Sequence, residues 1–261
     1  MPFSQYYIAG LIVSCTLLVT TIPVNAQVVN VERHRVFVDT VNVWTGGLGF
    51  GWNISQNKTR VVRFNTTADL TYVARKHDFL ILGRNNFLRV DGNNVLNDGF
   101  VHLRSVFYRN NTYAPELFLQ AQYNLDWGLK RRALAGANIR VRMHQTEQFS
   151  AFVSTGFMFE NEIWEETDGE IREEFNQIKS TTSFNIRGTI LENLELAAIS
   201  YYQARPDRFL KPRFTSDWQV RFHISEHLRF AIQFVSTLDS DPPLDSVQFI
   251  YNINNLLEVR F

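Results

Sequence analysis

Charged residues recur at alternate positions along several stretches of this chain, as in Arg140 and Arg142 or in Arg213, Asp217 and Arg221, with Val141, Val220 or Phe222 beside them. One face of these extended ribbons collects Arg63, Arg104, Arg132, Arg140, Arg142, Lys179, Arg187, Arg213, Arg221, Arg229 and Arg260. The acids on that face are fewer: Asp69, Glu116, Asp217 and Glu258. Cations gathered around an enclosed wet space favour the passage of anions. The plainer chemistry is a space filled by arginine–carboxylate and arginine–amide pairs that only hold the fold together, because desolvated arginines need such partners. Long side chains in a narrow bore weigh toward this second reading.

Other reactive groups give weaker signals. Glu160, Glu162, Glu165, Glu166, Asp168, Glu170, Glu173 and Glu174 crowd around Trp164. The stretch reads as an external acidic loop, solvated, bridging lipopolysaccharide through divalent cations, or folded into a cationic mouth. It has no EF-hand spacing, and no metal site is expected. The histidines at 34, 77, 102, 144, 223 and 227 lack zinc-binding spacing. His223 and Ser225 share a face, but two alternate residues make no triad and the sequence shows no third member. No enzyme and no cofactor are therefore expected.

The elements that must hold these side chains are strands. A period of two recurs along the chain, interrupted by turn residues, and almost nothing after Gln27 has a helical period. About twelve strands are predicted, near 43–54, 60–74, 77–88, 98–109, 113–125, 131–144, 148–160, 176–188, 193–204, 212–224, 227–238 and 249–261. The last sets Phe249, Tyr251, Ile253, Leu257, Val259 and Phe261 against Gln248, Asn252, Asn254, Glu258 and Arg260. A half-greasy strand ending on an aromatic residue is the pattern of a barrel-closing strand, with Tyr251, Leu257, Val259 and Phe261 as its signal. Closure requires this strand to pair with the first.

Turns after even strands are short, as at Arg75-Lys76 and Glu192-Asn193. Those after odd strands are longer, near 89–97, 161–175, 205–211 and 239–246. Short periplasmic turns and long external loops sort in this way in outer-membrane barrels. Every backbone amide in hydrocarbon needs a partner within the protein, which a closed barrel supplies. So many apolar side chains would also overfill the inside of a barrel this size, which places them outside. The competing soluble fold is a two-sheet periplasmic sandwich.

Bulk properties agree. Lys+Arg and Asp+Glu are both 26, so a nucleic-acid partner is not expected. Aromatics make up 14%, which suits interfacial girdles. A mean hydropathy of −0.17 is too low for a bundle of membrane helices. The one long apolar run, Ile8 to Val24, precedes Asn25 and Ala26 and reads as a signal peptide over 1–26. A helical anchor, or lipidation at Cys15, is the lesser alternative. Residues 27–42 read as a periplasmic lead-in and 43–261 as the barrel.

Trp44-Thr45-Gly46-Gly47-Leu48-Gly49, and the run from Gly128 through Arg131-Arg132 and Gly136 to Arg140, resemble the salt-induced outer-membrane protein family. That family has no assigned function and no assigned catalytic residues. The resemblance implies an outer-membrane barrel linked to salt or osmotic stress.

The expectation is an all-β, antiparallel up-and-down transmembrane barrel of about twelve strands in the outer membrane of a Gram-negative bacterium. Its role is that of a narrow anion-preferring pore or a structural envelope protein, with a lipid-modifying barrel enzyme as the competing class. Its partners are outer-membrane lipid, lipopolysaccharide and the barrel-assembly machinery.

Overall fold

A computed structural model of the chain describes residues 42–56, 58–146, 148–165, 172–225, 228–242 and 248–259. The segment expected to be a signal peptide, Cys15, the expected lead-in up to residue 41, Arg260 and Phe261 lie outside the described residues. Leu257, Glu258 and Val259 are described by backbone alone.

Twelve strands follow one another: β1 Val43–Gln56, β2 Arg60–Val73, β3 His77–Val90, β4 Asn93–Phe107, β5 Tyr113–Asn124 and β6 Leu129–Gln145. They continue with β7 Phe149–Glu165, β8 Arg172–Leu191, β9 Leu194–Ala204, β10 Arg213–His223, β11 Leu228–Asp239 and β12 Phe249–Val259. Each pairs antiparallel with the next in a single sheet ordered β1 to β12. Side chains three strands apart touch across the inside of this sheet: Arg213 of β10 donates to Glu162 of β7 at 2.8 Å. That contact follows from an up-and-down barrel wall curving round on itself. β1 and β12 approach each other, but no ladder joins their described residues. The pairing of first and last strand expected from the sequence is therefore not seen among them.

The alternation sorts the two faces. Leu48, Phe157 and Ile178 are 77%, 61% and 62% exposed, whereas Arg221 is 1% exposed and Glu116 and Gln219 are fully buried. On β5 the outward series runs from Tyr113 through Leu117 and Leu119 to Tyr123. With a rise of about 3.4 Å per residue and a tilt near ~40°, that series climbs about 25 Å, the height of a barrel's apolar band. Phe149 and Phe159 mark an outward apolar series of the same length on β7. Beyond them the outward position is Asn161, bonded to Asn176 and Glu174. The upper parts of β7 and β8 therefore rise above the apolar band.

Two loop expectations are corrected. Residues 89–97 are not a long loop: Asp91 (φ 49°) and Gly92 (φ 88°) make a two-residue turn directly between β3 and β4. Positive φ at both positions matches the twist of a hairpin, and the Asp91 carboxylate accepts the Arg60 amide at 2.6 Å. The loop expected at 161–175 is shorter, because β7 runs on to Glu165 and β8 begins at Arg172; residues 166–171, with Glu166, Asp168 and Glu170, lie outside the described residues. The connection at 205–212 is a longer one, as expected; between β11 and β12, residues 243–247 lie outside the described residues.

The inside is not wholly polar. Leu80, Leu82 and Phe100 form one buried cluster, and Phe118, Leu134 and Met158 another. His102 stacks on Phe118. Gly136 makes room for that ring, since a Cβ there would stand 2.2 Å from Phe118 Cζ.

Candidate functional site

The largest polar cluster on the inner face joins β6, β7, β8, β10 and β11. Leu134 of β6 pairs with Glu160 of β7, and Arg132 with Glu162, so both glutamates inherit the inward side of the alternation. Glu160 is 1% exposed and Glu162 is 2% exposed. Glu160 is gripped by Arg132 and Lys179, with Arg213 Nη1 at 3.6 Å. Glu162 takes Arg132 Nε at 3.1 Å, Arg213 Nη1 at 2.8 Å and the Trp164 indole N–H at 3.1 Å. Arg213 also donates through Nε to Asp239 at 2.7 Å. The cluster thus balances three cations against three carboxylates, which is what allows so many charges to leave water together.

The remaining predicted cations fall into smaller groups. Arg187 and Arg221 both donate to Glu195, at 2.5 and 2.9 Å, and Arg221 donates to Gln219 at 2.6 Å. Arg140 reaches Glu116 at 3.3 Å and lies 3.8 Å over the Phe152 ring. Arg142 caps the Arg109 carbonyl at 2.8 Å. Asp217 accepts from Gln233 at 2.7 Å. Arg104 is buried beside Phe118 in register. Arg229 sits half-buried on β11, and Asp69 half-buried on β2. Arg63 is exposed, opposite Asn53 of β1, and stands apart from the β6–β11 cluster. Tyr251 faces outward beside Phe234.

Sequence reasoning missed part of this site. Asp98, Glu160, Glu162 and Glu195 are buried on the inner face, and Asp98 takes Arg84 at 3.6 Å and Asn86 at 3.1 Å. The expectation that Glu160 and Glu162 belong to an external acidic loop is corrected. The signal was available: Phe157 and Phe159 point outward, so 160 and 162 had to point inward. The expected cationic excess shrinks accordingly.

His223 Nε2 stands 3.6 Å from Glu195 Oε2, a carboxylate that the sequence did not reveal. Glu195 is already held by two arginines, and the Ser225 hydroxyl is engaged in its turn, accepting the Leu228 amide at 3.1 Å. Among the described residues no group of three His, Cys, Asp or Glu side chains is placed to hold a metal ion.

At the odd-loop end the connections are tied together. Arg208 donates to Asp241 at 2.7 Å, and Arg205 holds Asp207 through two bonds, at 2.9 and 2.6 Å. The hydrogen bonds from Arg205 and from Arg208 hold the Asp207 and Asp241 carboxyls below the usual aspartate value. Burial pushes Asp126 upward against the amide of Asn97, which donates to it at 2.8 Å.

A family model described as "Protein of unknown function, DUF481" matches residues 45–254. No curated protein matches the chain. Among solved structures, a NanC porin in a rhombohedral crystal form superposes with a TM-score of 0.50 at 8% identity, over 84% of this chain and 98% of that one. The β domain of the Bordetella autotransporter Brka superposes with a TM-score of 0.36 at 11% identity, over 84% and 97%. The first likeness shows a shared barrel fold.

Proposed function

Since the chain belongs to the family of unknown function DUF481, we propose, from that premise, that it is an outer-membrane barrel serving as a structural envelope component with its bore closed by ion pairs. The observation that carries this is the cluster of Glu160 and Glu162 with Arg132, Lys179 and Arg213 across the inner face. Carboxylates that neutralise the arginines remove the field an anion filter needs. The apolar clusters around Phe100 and Phe118 fill neighbouring parts of the interior.

In this reading the apolar band contacts lipid, and the end of the barrel that carries the turn at Asp91 and the connection at 205–212 faces away from the cell. Lipid and lipopolysaccharide surround the barrel, and the barrel-assembly machinery inserts it. No catalysis belongs to this role, so phospholipid hydrolysis by the purified protein should stay at background. The link to salt stress rests on the family resemblance alone. A deletion strain that grows poorly at high salt would support it.

Planar-bilayer recording tests the central claim. The wild-type barrel should show no sustained conductance. A steady ohmic conductance, with a reversal potential favouring anions in a salt gradient, would overturn the closed reading and restore the anion pore.

A further inference from the structure

We infer that the outer face of the barrel carries a binding site for the phosphate of an outer-leaflet glycolipid, at the odd-loop end of β3 to β7. This rests on the membrane reading above. A cleft of about 670 Å³ opens there. Its floor is Gly99, Val101 and Ala121, its walls are Tyr123 and Ile163, and Lys130 and Arg131 line its rim.

The cleft exists because of particular residues. A Cβ at position 99 would stand 2.9 Å from Tyr123 Cε1, so glycine lets the tyrosine ring lie against the strand. Asn85 fixes that ring by donating to its hydroxyl at 2.7 Å. A bulge between Leu129 and Arg131 inserts Lys130 as an extra residue, which sets two cations side by side on the outward rim. Lys130 gives one bond to Glu165 at 2.7 Å and Arg131 one to Asn161 at 2.8 Å, leaving most of their N–H groups for a ligand.

Height decides what the ligand is. Tyr123 ends the apolar series on β5, so the floor at Val101 and Ala121 lies at acyl-chain depth and the cations lie at headgroup depth. An amphiphile with an anionic phosphate above and hydrocarbon below satisfies both. On the face that carries the longer loops, that amphiphile is a phosphorylated glycolipid of the lipopolysaccharide kind. Free phosphate would leave the apolar floor unused.

The test uses the full chain folded in maltoside micelles, with diphosphoryl lipid A as the probe and native mass spectrometry counting the adducts. Wild type should retain one lipid A and should not exchange it for excess inorganic phosphate. Lys130→Gln with Arg131→Gln should lower retention about 30-fold, from roughly a headgroup attraction lost at each site. Ala121→Leu, which fills the floor from an exposed position, should lower it as well. Equal retention by the double variant, equal retention of dephosphorylated lipid A, or displacement by inorganic phosphate would each overturn the site. Heat-modifiable gel mobility and insertion into vesicles are read on the same samples. A wild-type chain that fails both sinks the membrane reading and the site with it, whereas a folded, inserting barrel without an adduct sinks the site alone.

Discussion

Glu160→Gln tests the closed interior at its most connected group. The substitution keeps the shape and removes one of three carboxylates that balance Arg132, Lys179 and Arg213. The pocket is then left with one uncompensated positive charge, at a position 1% exposed in the native barrel. Removing one partner from a buried pair costs roughly 3–5 kcal/mol. Water can enter a barrel interior more easily than a solid core, so the lower end applies, about 3 kcal/mol, or roughly 100-fold in the folding equilibrium. Adding Lys179→Met restores neutrality, with Arg132 and Arg213 facing Glu162 and Asp239. The double variant should therefore recover about 2 kcal/mol relative to the sum of the single changes. The assay is urea unfolding in lipid vesicles, extrapolated linearly to water. Trp164, whose indole donates to Glu162, reports from inside the cluster. A cost below about 1 kcal/mol for Glu160→Gln, or strict additivity in the double variant, would refute the view that these charges hold one another in place.

Three further outcomes follow from other parts of the barrel. Leu119→Arg, midway along the outward face of β5, should destabilise vesicle-folded protein by about 2–4 kcal/mol. Leu125→Arg, past the upper tyrosine, should cost ~0–1 kcal/mol, and equal costs would contradict the lipid-facing assignment. Gly136→Ala pushes a methyl into the Phe118 ring and should cost about 1–3 kcal/mol, while Phe118→Leu in the same chain should relieve it. The loops tied by Asp207 and Asp241 should loosen in acid. Their carboxyls titrate below the usual aspartate value, so the pairing contributes fully above that value and is lost as pH falls through the depressed one. Protease cutting within 205–212 should rise at low pH and also in high salt, and a pH-independent cutting rate would argue against these ties.

The strands were legible because lipid-facing and inward positions differ so sharply in chemistry that alternation survives in one sequence. Strand ends were less legible where the partner was distant. The alternation from Phe157 and Phe159 turns Glu160 and Glu162 inward, but their partner Arg213 lies three strands away, and no local pattern names it. Arg89 to Asn97 contains Asp91, Gly92, Asn93 and Asn94, each a good turn residue, yet only the first two make the turn. Glu195 beside Arg187 and Arg221 was hidden in the same way, on a strand whose outward Leu194 and Leu196 dominate its pattern. The cleft beside Tyr123 could not be read at all, because it depends on a bulge at Lys130 and on glycine at position 99 under a neighbouring ring.

The two-residue turn at Asp91–Gly92 stands in the same ring of connections as the tall β7–β8 hairpin. The upper edge of the barrel is therefore lopsided, with a low sill over β3 and β4 and a parapet formed by β7 and β8. Anything bulky that approaches this end sideways meets the parapet as a barrier and the sill as the low side. A bulky binder directed at this end of the barrel would therefore meet the ends of β7 and β8, near Glu165 and Arg172, before it reached the turn at Asp91 and Gly92.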